Sequence, residues 1–225
     1  MRKIQHTNGI KIHEVYETKN SVYVVQDLLK GGEIFRISDG RLNSEDAKII
    51  LRALLEFLAY LQSINIVHRD LKPDNIILLK NKKKCSLAEN TIKVIDYGLA
   101  WQYTSEKRLI HRRCGTPGFI APEILNLKKG ENNIEKCFNC DVFSLGMIFF
   151  FMLTGKIPYD GEDLNAILEN NKAGMIDWNI KELNEYRGKP ELDLLYAMLN
   201  FDPKLRITAE GSQPRRLSAT LTSKI

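Results

Sequence analysis

The sequence of 225 residues predicts an α+β fold, with a small antiparallel β-unit followed by a mainly helical body. Two runs rich in Val, Ile and Tyr, Ile10–Tyr16 and Ser21–Val25, alternate with period two around a polar turn and predict a β-hairpin. Apolar residues then recur at helical spacing from Ala47 to Leu61. A further stretch, Asp141–Thr154, is apolar on nearly all sides, which is typical of a helix buried inside a sizeable domain.

The remaining elements follow in chain order. Asn43 or Ser44 can cap the first long helix, and acidic residues occupy its positive first turn. Short β-like runs cover residues 75–79 and 91–95, and residues 192–200 predict another amphipathic helix. Residues 211–225 lose this periodicity and become rich in Ser, Thr and Arg, so we expect a disordered tail.

Composition narrows the class of protein. The chain is 44% hydrophobic and 27% charged, which excludes collagen-like, disulfide-scaffold and wholly disordered proteins. The net charge of +5 does not indicate nucleic-acid binding without a supporting motif. The densest apolar run, 145–153, is far shorter than the roughly 18 residues of a membrane span, and the N-terminus has no apolar signal core. We therefore expect no nucleic-acid or membrane partner and a location in the cytoplasm, with the nucleus as a second location.

Cysteine usage points to a reducing compartment. Cys137 and Cys140 form a single C-x-x-C, whereas a structural zinc site needs four ligands and neither Cys85 nor Cys114 supplies a second pair. Chance spacing of ordinary thiols is the favoured interpretation.

Five short motifs appear in a fixed order. His68-Arg69-Asp70-Leu71-Lys72-Pro73-Asp74-Asn75 matches H-R-D-L-x-x-x-N, and Asp96-Tyr97-Gly98 and Ala121-Pro122-Glu123 follow. Asp141-Val142-Phe143-Ser144-Leu145-Gly146 and Asp202-Pro203-Lys204-Leu205-Arg206 complete the series. Any one of them alone is a chance match, but the ordered set resembles the eukaryotic protein kinases over about residues 1–210.

That resemblance implies a protein-kinase-like fold. Residues 1–29 would be a remnant of the small-lobe antiparallel sheet, with the end of a helix, the hairpin and the hinge. Residues 30–210 would form the mainly helical large lobe. The implied cofactors are ATP and Mg²⁺, and the implied reaction is transfer of the γ-phosphoryl group to Ser or Thr of protein substrates.

The resemblance also assigns roles near the reacting groups. Asp70 would orient the attacking hydroxyl, Lys72 would neutralise phosphate charge, and Asn75 and Asp96 would hold Mg²⁺. Thr116 would hydrogen-bond to Asp70 and Lys72.

Further residues would have structural roles. Asp141 would hold the backbone of His68 and Arg69, and Arg206 would pair with Glu123. Tyr97 stands where the family usually has Phe, so its hydroxyl must find a partner if the side chain is buried.

The segment Leu29–Phe35 resembles the hinge and following helix of calcium/calmodulin-dependent and related kinases. Gln26 would gate the adenine pocket, with backbone groups of Asp27 and Leu29 pairing with adenine and Ile77 packing on its face. Glu33 would contact ribose and an arginine upstream of the phosphoacceptor, assisted by Asp74, so the expected substrates are Ser or Thr preceded by Arg. The alternative is that Glu33 is a solvated helix residue.

Lys72 favours a Ser/Thr over a Tyr kinase, and Arg69 suggests control by phosphorylation. Such an arginine can pair with a phosphate on the following loop, where Thr104 and Ser105 are candidate acceptors for an upstream activating kinase. The alternative is that both are ordinary loop residues.

Two family motifs are not found in this sequence. No G-x-G-x-x-G occurs, and no lysine matches V-A-I-K, so we expect the sequence to begin inside the small lobe. The competing hypothesis is therefore a catalytically incomplete large-lobe fragment or pseudokinase acting as a binding module. A third, nucleic-acid binding through Lys80–Lys84, lacks a fold motif.

Overall fold

The computed structural model describes residues 4–35, 41–81, 85–104, 113–128, 134–159 and 161–211, without the side chains of 134–137. Near its start lies the predicted hairpin, formed by β1 (Ile12–Glu17) and β2 (Val22–Gln26). The strands pair antiparallel, with Tyr16 opposite Tyr23. The hairpin prediction is therefore confirmed.

The first long helix, α1 (Ser44–Ser63), begins as its capping residues predict. The Asn43 side chain accepts a hydrogen bond from the Asp46 backbone N–H at 2.9 Å, satisfying one of the free donors at the helix start. One face of α1 is buried along its whole length, from Ala47 to Leu61. The helix ends beside Asn65, whose left-handed φ of 57° turns the chain back toward the body.

Short strands connect α1 to the site. β4 (Ile66–Val67) pairs antiparallel with β7 (Trp101–Gln102). A separate three-stranded sheet has the order β3 (Gly32–Glu33), β5 (Ile76–Leu78) and β6 (Ile92–Val94), with antiparallel pairing throughout. The start of β5 and the end of β6 consequently lie at one end of this sheet.

The helical body contains α2 (Pro122–Leu125), α3 (Ile134–Thr154), α4 (Leu164–Ala173) and α5 (Pro190–Met198). Single 3-10 segments cover Pro73–Asn75 and Lys181–Tyr186. The central helix α3 is buried nearly all round over residues 140–154, as predicted. The helix begins at Ile134, earlier than the predicted Asp141. The apolar pattern detects only the buried part of a helix, and the first turn of α3 carries polar residues.

Close packing of α3 on the last helix requires a glycine. A Cβ atom at Gly146 would lie 2.8 Å from Leu199 Cδ2, closer than carbon atoms approach without a shift. The absence of a side chain therefore brings the two helices together in the core.

Some sequence predictions fall outside the described residues. These are residues 1–3, which belong to the segment 1–29 where we expect the end of a helix, and the disordered tail, except for Gly211. The division into a small-lobe remnant and a large lobe stays a prediction. Within the part of the chain that the structure describes, no helix is long and apolar enough to cross a membrane.

Candidate active site

The segment after β4 is fixed from the central helix. The Asp141 carboxylate on α3 accepts the backbone N–H groups of His68 and Arg69 at 2.6 and 2.8 Å. Arg69 has a φ of 68°, a left-handed conformation that a long side chain adopts only where its surroundings impose it. The predicted contact of Asp141 with this backbone is therefore present, and it holds the strained turn that precedes Asp70.

The His68 side chain also contacts this turn. Its Nδ1 accepts the Asp70 backbone N–H at 3.3 Å, and its Nε2 donates to the Ile95 carbonyl at 3.3 Å. One nitrogen accepts and the other donates, which is the neutral imidazole. Burial lowers the pKa of His68 to about 4, against smaller opposing effects of the Ile95 carbonyl, Asp70 and Asp96.

Asp70, Lys72 and Thr116 form a closed triangle of polar contacts. The Thr116 hydroxyl donates to Asp70 Oδ1 at 2.7 Å and accepts from Lys72 Nζ at 3.1 Å. Lys72 Nζ also lies 3.4 Å from Asp70 Oδ2. The Asp70 side chain is 10% exposed and that of Lys72 is 24% exposed, so this carboxylate and ammonium group interact in a partly dehydrated site. The three residues that the sequence predicted to act together are in contact.

Asn75 and Asp96 lie at the same end of the β3–β5–β6 sheet. The Ile95 backbone N–H donates to the Asn75 carbonyl at 3.0 Å, which aligns the residue before Asp96 with Asn75. Asn75 Nδ2 donates to the Asp70 carbonyl at 2.9 Å. Because a carbonyl only accepts, this bond fixes the amide so that Asn75 Oδ1 faces away from it.

The donor set fits magnesium. Asn75 offers an amide oxygen and Asp96 an exposed carboxylate, and hard oxygen atoms are the ligands that Mg²⁺ takes together with water and phosphate. Asp96 has a left-handed φ of 60°, and its Oδ1 accepts the Gly98 backbone N–H at 2.9 Å. The structure describes no cluster of three or more His, Cys, Asp and Glu side chains, so any metal here would need ligands from its nucleotide and water.

The predicted Arg206–Glu123 pair is present and buried. Arg206 Nη1 and Nη2 donate to the two Glu123 oxygens at 2.6 and 2.9 Å. The Arg206 guanidinium also lies over the Phe143 ring at 4.9 Å and donates to the Asn139 carbonyl. The pair thus joins α2, α3 and the loop that follows α5.

The predicted hinge residues lie between β2 and β3. Gln26 ends β2 and is exposed, and Asp27 and Leu29 are half-buried. The Asp27 backbone N–H donates to the Lys11 carbonyl at 3.1 Å. The Asp27 side chain meets His13 at 2.8 Å, a contact that the motif comparison did not predict.

The structure contradicts one interpretation of Glu33, the alternative that it is a solvated helix residue. It lies in β3 opposite Ile77 and is half-buried, so it is not a solvated helix residue. The local cause is the Gly31-Gly32 pair, which lets the chain pair with β5: a Cβ at Gly31 would lie 2.3 Å from Leu78 Cβ. Asp74 is exposed in the 3-10 turn before β5.

The loop after Tyr97 is described only in part. Arg69 Nε donates to the Leu99 carbonyl at 2.6 Å, and its guanidinium lies 5.8 Å from the centre of the Trp101 ring. Thr104 is exposed, and Ser105 lies outside the described residues.

One buried residue at the site gave no signal in the sequence. Asn171 on α4 is fully buried, donates to the Ile120 carbonyl at 2.7 Å and accepts the Gly118 backbone N–H at 3.1 Å. It therefore fixes the loop that carries Thr116. In the sequence Asn171 follows Glu169 and Asn170, a polar run that is typical of a solvated helix end.

Comparison with known proteins identifies the class to which this fold and site belong. The family model described as the protein kinase domain matches residues 1–214, so the chain belongs to the protein kinase domain family.

Individual relatives agree with this assignment. The chain is 32% identical over its whole length to calcium-dependent protein kinase 4 of Plasmodium falciparum, covering 40% of that protein. Over 92% of the chain it is 33% identical to a probable serine/threonine-protein kinase of Dictyostelium discoideum, covering 23% of it. Over 93% it is 33% identical to a probable myosin light chain kinase of the same organism, covering 65%. The chain thus spans less than two thirds of the length of each of these relatives.

Proposed function

We propose that this chain carries the phosphoryl-transfer site of a protein serine/threonine kinase, which uses ATP and Mg²⁺ to phosphorylate Ser or Thr of protein substrates. The observation that carries the proposal is the contact of Asp70, Lys72 and Thr116 beside Asn75 and Asp96. The relatives are calcium-dependent and serine/threonine kinases, which supports this function over a binding module.

The chemistry of the chain's own groups follows from their geometry. Mg²⁺-ATP, when bound, would supply the transferable phosphoryl group and a metal that neutralises negative charge on it. Asp70 Oδ1, now bonded to the Thr116 hydroxyl, is placed to accept a hydrogen bond from a substrate hydroxyl and to take its proton. Lys72 Nζ lies 3.4 Å from the other Asp70 oxygen and would balance negative charge at the transferring group.

Asn75 and Asp96 would hold the metal. Asn75 is bonded to the Asp70 carbonyl through Nδ2, so a ligand on Asn75 Oδ1 is tied directly to the residue that orients the nucleophile. The buried side chains of His68 and Asp141 bond to the backbone around Asp70. These bonds hold the Asp70 carboxylate and the Asn75 amide in place, so that neither group has to reorganise during the reaction.

Glu33 supports the finer proposal that substrates carry Arg before the phosphoacceptor. Its position at the end of β3, directly opposite Ile77, puts its side chain on the same face of the sheet as Ile77, against which adenine would pack. Asp74 is exposed on the 3-10 turn next to Asn75 and adds a second negative charge. Two carboxylates favour a guanidinium, which binds such groups with paired hydrogen bonds.

Arg69 supports the proposal of an upstream activating kinase. Its guanidinium lies against Trp101 on the loop that leads to Thr104, where a phosphate would find a positive charge. The cytoplasmic location stays a prediction, which microscopy of the tagged protein would test.

The test of this function is a radiolabelled phosphate-transfer assay on a Ser/Thr peptide library. The expected result is Mg²⁺-dependent labelling that is lost in Asp70→Asn, with peptides containing upstream Arg preferred by the wild type. At saturating ATP, Glu33→Gln should reduce the Arg preference, measured as the ratio of labelling between peptides with and without upstream Arg. Equal labelling of all peptides would reject the Arg preference alone, whereas Asp70-independent labelling would reject the assigned site.

A further inference from the structure

Tyr97 is buried against the residues that support the site. It is 7% exposed, and its ring meets the His68 imidazole edge-on with a centroid distance of 5.7 Å. A phenylalanine would fill the same ring-shaped space. The feature that distinguishes this chain is the tyrosine hydroxyl, which must find polar partners where it is buried.

The hydroxyl lies against the segment that precedes the hairpin. It donates a long hydrogen bond to the Val94 carbonyl at 3.5 Å. Burial raises the pKa of Tyr97. Ile10 and Val94 are themselves bonded, with Ile10 N 3.0 Å from the Val94 oxygen. The Tyr97 hydroxyl and the Ile10 N–H therefore share one acceptor, the Val94 carbonyl.

The segment Asn8–Ile10 is held by hydrogen bonds to β6. It runs beside β6 through a parallel bridge between Gly9 and Val94, and the Val94 N–H donates to the Asn8 carbonyl at 2.7 Å. Lys93 Nζ, also buried, donates to the Gly9 carbonyl at 3.1 Å.

Gly9 makes room for the hydroxyl. A Cβ at this position would lie 2.8 Å from the Tyr97 oxygen and 3.0 Å from Phe57 Cε2. The close approach of this backbone to the Tyr97 hydroxyl therefore depends on a residue without a side chain.

The residue that precedes Tyr97 is strained. Asp96 holds a φ of 60°, and a non-glycine residue keeps such a conformation only where neighbouring contacts over-determine it. We infer that Tyr97 is a positioning residue: its hydroxyl links the Asp96–Gly98 turn to the Asn8–Ile10 segment and thereby holds Asp96 beside Asn75. The consequence for metal-nucleotide affinity rests on the proposed function, but the link itself does not.

The positioning role predicts a small loss of overall stability and a local loss of similar size. Removal of the hydroxyl leaves Ile10 N–H and the Val94 carbonyl bonded to each other, so no buried backbone group loses its partner. Tyr97→Phe should therefore lower the unfolding temperature by no more than about 4 °C, the shift that one lost hydrogen bond causes in a domain of this size. The same loss should appear as faster opening of the two segments that the hydroxyl connects.

The experiment compares Tyr97→Phe with the wild type and with Tyr159→Phe. Tyr159 is also buried, and its hydroxyl has no hydrogen-bond partner among the described residues, so it is a matched control. Hydrogen–deuterium exchange without nucleotide should be about fivefold faster in Tyr97→Phe over residues 8–10 and 96–98, as expected for one lost hydrogen bond. Calorimetry should show Mg²⁺-ATP binding weakened by a similar factor. Neither quantity should change in Tyr159→Phe.

The outcomes separate the claims. Unchanged exchange in both segments of Tyr97→Phe would overturn the link, and faster exchange with unchanged Mg²⁺-ATP affinity would overturn the positioning of Asp96. If the wild type itself bound no Mg²⁺-ATP, the proposed function would fail, and the exchange comparison would still decide whether the hydroxyl holds the turn.

Discussion

Thr116 connects the two charged groups at the centre of the site. Its hydroxyl bonds to Asp70 and Lys72 at once, so Thr116→Ala should remove one of the contacts that orient each of these side chains. We expect kcat to fall by about 10- to 100-fold, the size of effect that misplacement of a reacting group has, with the KM for ATP little changed. Steady-state kinetics would measure this, and Thr116→Ser should retain most of the rate because it keeps the hydroxyl. A KM effect without a kcat effect would contradict the orienting role.

His68 and Asp141 make the stability of the fold depend on pH in opposite directions. The pKa of His68 is lowered to about 4 by burial, so its stabilising contribution is complete above pH 6.5 and is lost as the pH falls through 4. The pKa of Asp141 is raised to about 6 by burial, against the two backbone N–H groups that it accepts. Its contribution is complete below pH 3.8 and is lost as the pH rises through 6.

A substitution separates the contribution of His68 from that of Asp141. His68→Phe removes the titration of His68 and keeps that of Asp141. The stability difference between wild type and variant should therefore shrink by up to about 3 kcal/mol as the pH falls from 7 to 4, since each pKa unit corresponds to about 1.4 kcal/mol. Urea unfolding at several pH values measures it. A difference that stays constant over this range would show that His68 is not held neutral.

At the scale of elements, the buried Arg206–Glu123 pair joins three parts of the helical body. Arg206→Ala would leave the buried Glu123 charge uncompensated, which typically costs about 3–5 kcal/mol. The control is Lys48→Ala: Lys48 is 54% exposed and pairs with Glu191 at 3.0 Å, so this change should cost less than about 1 kcal/mol. Urea denaturation of both variants gives the comparison, and equal costs would contradict the importance of burial.

The sequence predicted those elements whose pattern is long or repeated. The hairpin and α1 follow from periodicity and capping at Asn43, and the centre of α3 from continuous apolar residues. The two-residue strands β3, β4 and β7 have no period to detect, because they are stabilised by their partners in space. The same reason explains Asn171, whose burial depends on the Gly118–Ile120 backbone and not on its neighbours in sequence.

The site was more predictable than the fold. Asp70, Lys72, Asn75 and Asp96 stand at motif spacings, so their types and order could be recognised before any geometry was available. The partner of the Tyr97 hydroxyl could not be predicted, since it is the backbone carbonyl of Val94, a group that every residue possesses.

At the scale of the whole molecule, the β1–β2 hairpin is more exposed to solvent than the helical body. Every residue of β2 is exposed, including Val22, Tyr23, Val24 and Val25, and within the described residues β2 pairs only with β1. An exposed apolar strand with an open edge promotes association between chains. Val24→Lys should therefore reduce association in light scattering without lowering the unfolding temperature. Leu205→Lys, at a residue that is 71% exposed elsewhere, should not reduce it, and equal effects would assign association to general surface hydrophobicity.

The central claim is that Asp70, Lys72, Asn75 and Asp96 form one metal-nucleotide site on this chain. Titration calorimetry with ATP tests it most directly, in Mg²⁺ and in EDTA, on the wild type and on Asp96→Asn. We predict binding that requires Mg²⁺ and weakens at least about tenfold in Asp96→Asn, since the variant loses a charged oxygen ligand. Equal affinity in EDTA, or in Asp96→Asn, would contradict the site.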